Sequence, residues 1–257
     1  MRVTLAMGTM RPMTSVFNLA RESQETSESR ETPEVLDSRE PSEARETPAA
    51  RETPVVPVVV IEDAADAVPL ARALVAGGLP LIEVTLRTPA ALDAVRAIAA
   101  EVPEAVVGAG TVVSAAGVAD AVGAGARFLV SPGWTERLLD AMRASGVPFL
   151  PGVSTTSEVV ALLEQGVEDM KFFPAEAAGG VPYLKSLAGP LPQARFCPTG
   201  GISLASAPAY LSLPNVGCVG GTWMLPPDAL VARDWARVEA LARGAAALRT
   251  PLSRRER

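Results

Sequence analysis

Short apolar segments recur between residues 55 and 221 at nearly constant intervals, and this rhythm constrains the fold more than any other feature of the chain. Each segment is rich in β-branched residues and has the length of one buried strand. Their centres lie roughly 20 to 25 residues apart, the length of one strand, one helix and two loops. The eight segments are Val55–Ile61, Leu81–Leu86, Val106–Gly110, Phe128–Ser131, Val147–Leu150, Met170–Phe173, Arg195–Pro198 and Cys218–Gly221.

Ala- and Leu-rich stretches with helical periodicity separate these strands, among them Ala64–Ala76, Ala90–Ala100, Glu136–Ala144 and Thr156–Gln165. Eight strand–helix units in residues 55–250 predict a (β/α)8 TIM barrel, since parallel strands joined by right-handed helical crossovers close on themselves at that number. An open doubly wound sheet is the alternative. Its one candidate dinucleotide fingerprint, residues 108–113, has valine in place of the third glycine and is weak support.

Within the N-terminal extension, residues 1–54, the stretch from residue 21 to residue 54 differs sharply in composition from the rest of the chain and carries a loose Arg-Glu-Thr-Pro repeat. Few hydrophobic residues and a proline every few positions mean that the segment neither buries enough surface to offset its ordering entropy nor forms a long helix. We predict a disordered extension, and a solvated linker is favoured over a partner-docking tail. Deletion of residues 1–50 is therefore expected to leave the catalytic rate unchanged. Residues 251–257 are predicted to form a C-terminal tail.

The chain contains no histidine, which excludes Ser-His-Asp and Cys-His catalysis and every zinc motif that needs an imidazole. Carboxylates are not clustered at metal-ligand spacing, so neither a metal nor another cofactor is expected. Lysine is almost as scarce as histidine: Lys171 and Lys185 are the only two. Any lysine chemistry therefore has two candidates.

The formal net charge of -6 and the lack of a clustered basic stripe argue against nucleic acid as a partner. The apolar runs are far shorter than the roughly 18 residues of a membrane-spanning helix, so no membrane association is expected. Cys197 and Cys218 lie in apolar surroundings without CxxC spacing, which suits two buried thiols in a reducing compartment. With no clear secretory signal near the start, a cytoplasmic location is the expectation.

Reactive groups of a barrel gather where its strands end, and the second strand carries charges there. Glu83, Thr85 and Arg87 alternate along one face, which their apolar neighbours indicate to be the barrel interior. A structural Glu83–Arg87 ion pair is one interpretation. A buried charge is costly unless it is paired or used, and a functional role is favoured.

The sixth strand carries Lys171 between Met170 and two phenylalanines, Phe172 and Phe173. A lysine at a surface edge would be ordinary, but this strand should be covered on both faces. Burial favours the neutral amine, whose lone pair attacks a carbonyl carbon, so the pattern indicates Schiff-base chemistry. Lys185 falls in a helix-like stretch and is expected to be an exposed residue.

The other strand ends are small and rich in backbone donors. Glycines follow the seventh and eighth strands, each on the way into a helix, and this arrangement favours a phosphate cup at these two units. Plain turn chemistry is the alternative. The stretches in question are residues 108–111, 131–133, 151–155, 199–203 and 220–223.

Five motifs in order give residues 55–248 a resemblance to the class I 2-keto-3-deoxy-6-phosphogluconate (KDPG) aldolase / 4-hydroxy-2-oxoglutarate (KHG) aldolase family. They are Glu83-Val84-Thr85-Leu86-Arg87-Thr88, Val107-Gly108-Ala109-Gly110-Thr111-Val112, Lys171-Phe172-Phe173-Pro174-Ala175-Glu176, Arg195-Phe196-Cys197-Pro198-Thr199-Gly200-Gly201-Ile202-Ser203 and Gly220-Gly221-Thr222-Trp223.

The resemblance implies Lys171 as the Schiff-base lysine and Glu83 as the general acid/base. It implies that Arg87 and Thr111 bind the pyruvoyl carboxylate and that Phe173 and Pro132 shape the pocket. The residues implied to hold the substrate and its distal anion at the last two units are Thr199, Gly200, Gly201, Gly221 and Thr222. A homotrimer and a small 2-oxo acid as substrate are further implications of the resemblance.

The predicted activity is a retro-aldol cleavage of KDPG, with KHG as a further substrate. The sequence does not decide which of the two is the main substrate. Two other functions stay open at this point. One is a phosphate-binding isomerase or synthase without a covalent intermediate, in which Glu83 is a base and Lys171 only a cation. The other is a catalytically silent barrel whose tail recruits partners.

Overall fold

The computed structural model describes Ser15, Val16, Leu19 and residues 53–248. The predicted strand positions are confirmed, with one difference at the fifth. There Pro151 divides the strand into β5 and β6, because proline has no N–H for the ladder while its carbonyl still accepts from Lys171 N–H at 2.9 Å. The strands are β1 Val55–Val59, β2 Leu81–Thr85, β3 Val106–Gly110, β4 Leu129–Val130, β5 Phe149–Leu150, β6 Gly152–Val153, β7 Asp169–Phe172, β8 Arg195–Pro198 and β9 Val219–Gly221.

Helices alternate with these strands, and the four helical stretches predicted from periodicity are confirmed. The first begins with a 3-10 turn, Ala64–Asp66, before its α-helical part. The α-helices are α1 Ala67–Ala76, α2 Ala91–Glu101, α3 Ala115–Gly123, α4 Glu136–Ala144, α5 Thr156–Glu164, α6 Gly180–Leu187, α7 Ala207–Leu211, α8 Pro227–Ala232 and α9 Trp235–Ala246.

All the strand pairs are parallel, in one sheet of order β5-β4-β3-β2-β1-β9 and a second of order β6-β7-β8. Isolated parallel bridges at Phe196–Val216 and Thr199–Gly220 link β8 to the β9 region. The strands lie side by side in chain order, and the last strand lies beside the first. In a doubly wound sheet, by contrast, the order of the strands reverses in the middle of the sheet. The chain is a parallel α/β fold, and the doubly wound alternative is wrong.

Two apolar clusters lie on opposite faces of the strands. Ile82 and Val84 belong to the larger cluster, which includes the helices, while Leu81 belongs to a smaller one with residues of other strands, such as Val106 and Leu150. Because alternate residues of a strand point to opposite faces, Glu83 shares the inner face with Leu81. The two cysteines are buried, as predicted, and lie in the inner cluster.

Three residues of the segment predicted to be disordered are described by the structure and are packed against the strands. Val16 and Leu19 are buried in the inner cluster. The Ser15 hydroxyl donates a hydrogen bond to Asp169 and accepts one from Arg195. Asp169 and Arg195 form an ion pair that joins the first residues of β7 and β8. Burial of these apolar side chains inside the sheet offsets their ordering entropy.

The remainder of the predicted extension, apart from Thr53 and Pro54, and the predicted tail at residues 251–257 lie outside the described residues. Among the helices that the structure describes, none has the length and apolarity needed to cross a membrane.

Candidate active site

Glu83 and Lys171 form a buried pair on the inner face of the strands. The Lys171 Nζ lies 3.1 Å from Glu83 Oε1, and both side chains are only 3–4% exposed. Each is the third residue of its strand, β2 and β7 respectively, so both lie above the inner apolar cluster. An amine and a carboxyl group held at hydrogen-bond distance and away from water suit nucleophilic and acid/base chemistry.

Two glycines of β3 make room for this interior. A Cβ at Gly110 would lie 2.1 Å from Glu83 Oε1, and one at Gly108 would lie 2.4 Å from the Phe128 ring. Gly108 and Gly110 are residues of a strand and do not form a turn before a helix. Their role is therefore to admit a carboxylate and a ring, and the nucleotide-fingerprint interpretation has no support.

Arg87 and Thr111 meet where β2 and β3 end. Arg87 is exposed, and its Nε donates to Thr111 Oγ1 at 3.1 Å. Thr111 has a φ of 60°, in the left-handed region that a β-branched residue rarely adopts. Such strain costs about 1–3 kcal/mol and gathers at functional sites. The structure brings these two predicted site residues together, and a guanidinium beside a hydroxyl suits a carboxylate ligand.

The predicted inner face of β2 holds for Glu83 and Thr85 but not for Arg87. The Thr85 hydroxyl is fully buried and donates to the Val59 carbonyl at 3.0 Å, which ties β2 to β1. Because β2 ends at Thr85, strand alternation does not extend to Arg87. The structural Glu83–Arg87 pair is wrong, since Glu83 pairs with Lys171.

Phe173 and Pro132 lie beside the lysine. The Phe173 ring centroid is 5.3 Å from Lys171 Nζ, close enough for a cation–π contact with the protonated amine. Pro132 follows β4, and its backbone packs so tightly on Gly152 that a Cβ there would meet the Pro132 carbonyl oxygen at 2.3 Å. Gly152 is the register partner of Lys171, so Pro132 lies next to the strand neighbour of the lysine, while Phe173 is the residue with a measured contact to the amine.

The predicted anion-binding residues gather at the ends of β8 and β9. Thr199 is buried and bridges to Gly220, whose missing Cβ would lie 2.2 Å from the Thr199 hydroxyl. Gly200 and Gly201 follow with φ values of 104° and 82°. Within the described residues, neither of these two glycines donates its N–H to a protein acceptor.

The ends of β8 and β9 also correct one expectation. The glycines after these strands were expected to lead directly into helices. Helices α7 and α8 begin only at Ala207 and Pro227, so any anion bound at these glycines would lie beside turns and not at a helix start. Gly221 ends β9, and a Cβ there would overlap the Trp223 ring, at 1.9 Å from its nearest atom. The exposed hydroxyl-bearing Thr222 follows directly.

Two residues at this end of the molecule were not singled out from the sequence. Glu176 accepts a hydrogen bond from the Tyr210 hydroxyl at 2.8 Å, directly beside the Gly200–Gly201 turn. Glu176 belongs to the Lys171 motif, which is the one signal that could have drawn attention to it.

Lys185 is exposed on α6, as expected. Within residues 53–248, no three His, Cys, Asp or Glu side chains are grouped so as to hold a metal ion.

Comparisons with known proteins agree with this geometry. The family model "KDPG and KHG aldolase" matches residues 47–241. The chain is 54% identical over 193 residues to the 2-dehydro-3-deoxy-phosphogluconate aldolase of Pseudoalteromonas atlantica, which covers 75% of this chain and 90% of the relative.

Solved structures give the same result. A Zymomonas mobilis KDPG aldolase with 3-phosphoglycerate has a TM-score of 0.75 at 50% identity, over 79% of this chain and 95% of the other. A Legionella pneumophila KDPG aldolase, in which pyruvate was captured at low pH as a covalent carbinolamine intermediate, has a TM-score of 0.74 at 47% identity, over 75% and 94% of the two chains. The chain belongs to the KDPG and KHG aldolase family.

Proposed function

We propose that this protein is a class I aldolase that cleaves KDPG to pyruvate and glyceraldehyde 3-phosphate, with KHG as a second substrate that yields pyruvate and glyoxylate. The buried Lys171–Glu83 pair carries the proposal, because it places one amine and one proton-transferring group on the inner face of the strands. The carbinolamine captured in the Legionella relative supports the covalent route.

Lys171 is the nucleophile. After its ammonium gives a proton to Glu83 across 3.1 Å, the neutral amine adds to the C2 carbonyl of the 2-oxo acid and forms a carbinolamine. Loss of water gives an iminium ion. The C3–C4 bond then breaks, its electron pair moves towards the iminium nitrogen to form an enamine, and the aldehyde product leaves.

Glu83 moves the protons at each stage. As the acid it protonates the departing hydroxyl of the carbinolamine. As the base it removes the proton of the C4 hydroxyl while the C3–C4 bond breaks, directly or through a water. It then returns a proton to C3 of the enamine, and hydrolysis of the resulting iminium releases pyruvate and restores Lys171.

The other predicted site residues bind and orient the substrate. Arg87 and Thr111 hold the carboxylate, since a guanidinium and a hydroxyl are already 3.1 Å apart there. Phe173 and Pro132 form walls beside C2 and C3. The residues that hold the distal phosphate through N–H and hydroxyl groups are Thr199, Gly200, Gly201, Gly221 and Thr222.

The two sheets together form a closed (β/α)8 barrel in this proposal. The single residue between β5 and β6 and the bridges between β8 and β9 support a continuous wall. We further propose a cytoplasmic homotrimer, whose oligomeric state light scattering would test. Two buried cysteines without CxxC spacing suit a reducing compartment. Outside the described residues, the predicted disordered linker stays part of the proposal.

A coupled assay tests the function: KDPG or KHG is added, and released pyruvate is followed through lactate dehydrogenase. The proposal expects turnover of both, with the higher kcat/KM for KDPG because the turns after β8 and β9 bind its phosphate. Absence of turnover with either would favour a catalytically silent barrel. Turnover without any borohydride-sensitive adduct would favour a mechanism in which Lys171 acts only as a cation.

A further inference from the structure

The glycine turn that would bind the distal phosphate is fastened to the loop after β7. Two backbone hydrogen bonds join the loops: Ala175 N–H donates to the Thr199 carbonyl at 2.8 Å, and Glu176 N–H donates to the Gly200 carbonyl at 3.1 Å. Lys171 lies near the end of β7, so the loop that holds the glycine turn is connected directly to the strand that carries the reactive amine.

The Glu176 side chain fills the space beside this turn. A Cβ at Gly201 would lie 2.6 Å from Glu176 Cγ and 2.8 Å from its Cβ, so the methylene groups of Glu176 occupy the place of a side chain at Gly201. The turn has no freedom to move in that direction without displacing Glu176.

Tyr210 fixes Glu176 from the other side. It lies in α7, the first helix after the turn, is 1% exposed, and donates its hydroxyl to Glu176 Oε1 at 2.8 Å. Burial, followed by the hydrogen bond to the Glu176 carboxylate, raises the pKa of Tyr210, so the hydroxyl stays a donor at working pH. Gly180 leaves room for this contact, since a Cβ there would lie 3.1 Å from the Tyr210 oxygen.

We propose that Glu176 and Tyr210 are positioning residues that set the specificity for a phosphorylated substrate, an inference that rests on the proposed function. Their hydrogen bond, here called the Glu176–Tyr210 clamp, holds the Gly200–Gly201 turn at the distance from Lys171 that the substrate phosphate requires. A carboxylate beside an anion site repels phosphate, so Glu176 acts through the turn and not as a ligand.

The first test compares the two tyrosine hydroxyls of the chain. Tyr210→Phe removes the clamp, whereas Tyr183→Phe removes a hydroxyl that contacts Thr156 at 3.0 Å, away from the turn, and serves as the matched control. In Tyr210→Phe, the ratio of kcat/KM for KDPG to kcat/KM for KHG is expected to fall about tenfold. This factor corresponds to the loss of one hydrogen bond to a charged group. The change should come from a higher KM for KDPG. Tyr183→Phe should keep the wild-type ratio.

The second test separates hydrogen bonding from charge. Glu176→Gln keeps an acceptor for Tyr210 and is expected to hold the ratio within about threefold, while Glu176→Ala should lower it as Tyr210→Phe does. The double variant Glu176→Ala/Tyr210→Phe should lose no more than either single variant.

Calorimetric titration with inorganic phosphate gives a readout independent of turnover. Tyr210→Phe is expected to bind phosphate more weakly than the wild type, and Tyr183→Phe is expected to bind it as the wild type does. A merely structural clamp would lower kcat/KM for both substrates by the same factor and leave phosphate binding unchanged, which would overturn the inference. Failure of the wild type to cleave KDPG would instead refute the proposed function, and the phosphate titration would still decide the clamp.

Discussion

The substitution Gly110→Ala tests the geometry of the site without touching a reactive group. The new Cβ would lie 2.1 Å from Glu83 Oε1, and also within 2.7 Å of Cδ. An ordinary contact begins at about 3.4 Å, so the carboxylate must retreat by about 1.3 Å. Glu83 is 3% exposed and cannot turn into solvent. Its hydrogen bond to Lys171, 3.1 Å long, is therefore broken or bent.

The expected consequence is a loss of turnover. A misplacement of about 1 Å at a reacting group costs roughly 10²-fold in rate, so kcat of Gly110→Ala should fall by about that factor. The measurement is pyruvate release in the lactate dehydrogenase assay, corrected for the folded fraction by circular dichroism.

Gly108→Ala is the matched control, because it adds the same methyl group to the same face of β3 against the Phe128 ring and not against Glu83. Overpacking costs about 1–3 kcal/mol of stability, so Tm should fall while kcat per folded molecule stays near wild type. The reasoning is refuted if Gly110→Ala keeps kcat within threefold of wild type, or if both variants lose kcat equally.

Three further predictions follow from the structure. Glu83→Gln should still form a borohydride-trapped adduct at Lys171 but lose about 10²-fold or more in kcat, and near-normal turnover would contradict the role of Glu83. Leu19→Ala should lower the free energy of unfolding by about 2–5 kcal/mol in denaturant titrations, because it removes a buried side chain; an unchanged midpoint would contradict the packing of Leu19.

The third concerns pH. Burial raises the pKa of Glu158, but hydrogen bonds from the backbone and hydroxyls of the two residues before α5 outweigh burial and hold it below the usual range. Stability from this cap is therefore present at neutral pH and lost as pH falls through the folded-state pKa. Glu158→Gln should lower stability at pH 7 by about 1 kcal/mol, and this deficit should shrink as the pH falls through the folded-state pKa; a deficit that stays constant with pH would refute the assignment.

The strands and the central chemistry of the site could be predicted from the sequence. The strands are short apolar runs at regular spacing, and Glu83 and Lys171 stand out because a charged residue inside such a run needs a reason to be there. The fold then places both side chains on the inner face of the strands, within hydrogen-bond distance of each other. Local pattern and global fold agree at these positions, and this agreement made the prediction possible.

What could not be predicted depends on contacts between distant residues. Tyr210 is 34 positions from Glu176, and nothing in its own segment distinguishes it from an ordinary core tyrosine. Val16 and Leu19 belong to a short apolar stretch that has no strand or helix periodicity of its own, and the inner face of the strands gives them a place to be buried. Gly110 likewise has no local signal for its role, since the space that it leaves is occupied by a residue of another strand.

The most direct measurement of the central claim is to incubate the protein with pyruvate, reduce it with borohydride and map the adduct by mass spectrometry. The chain offers only two lysines, so the result is unambiguous. A class I mechanism predicts a reduced pyruvate adduct on the buried Lys171 and none on the exposed Lys185. No adduct at all, or an adduct confined to Lys185, would contradict it.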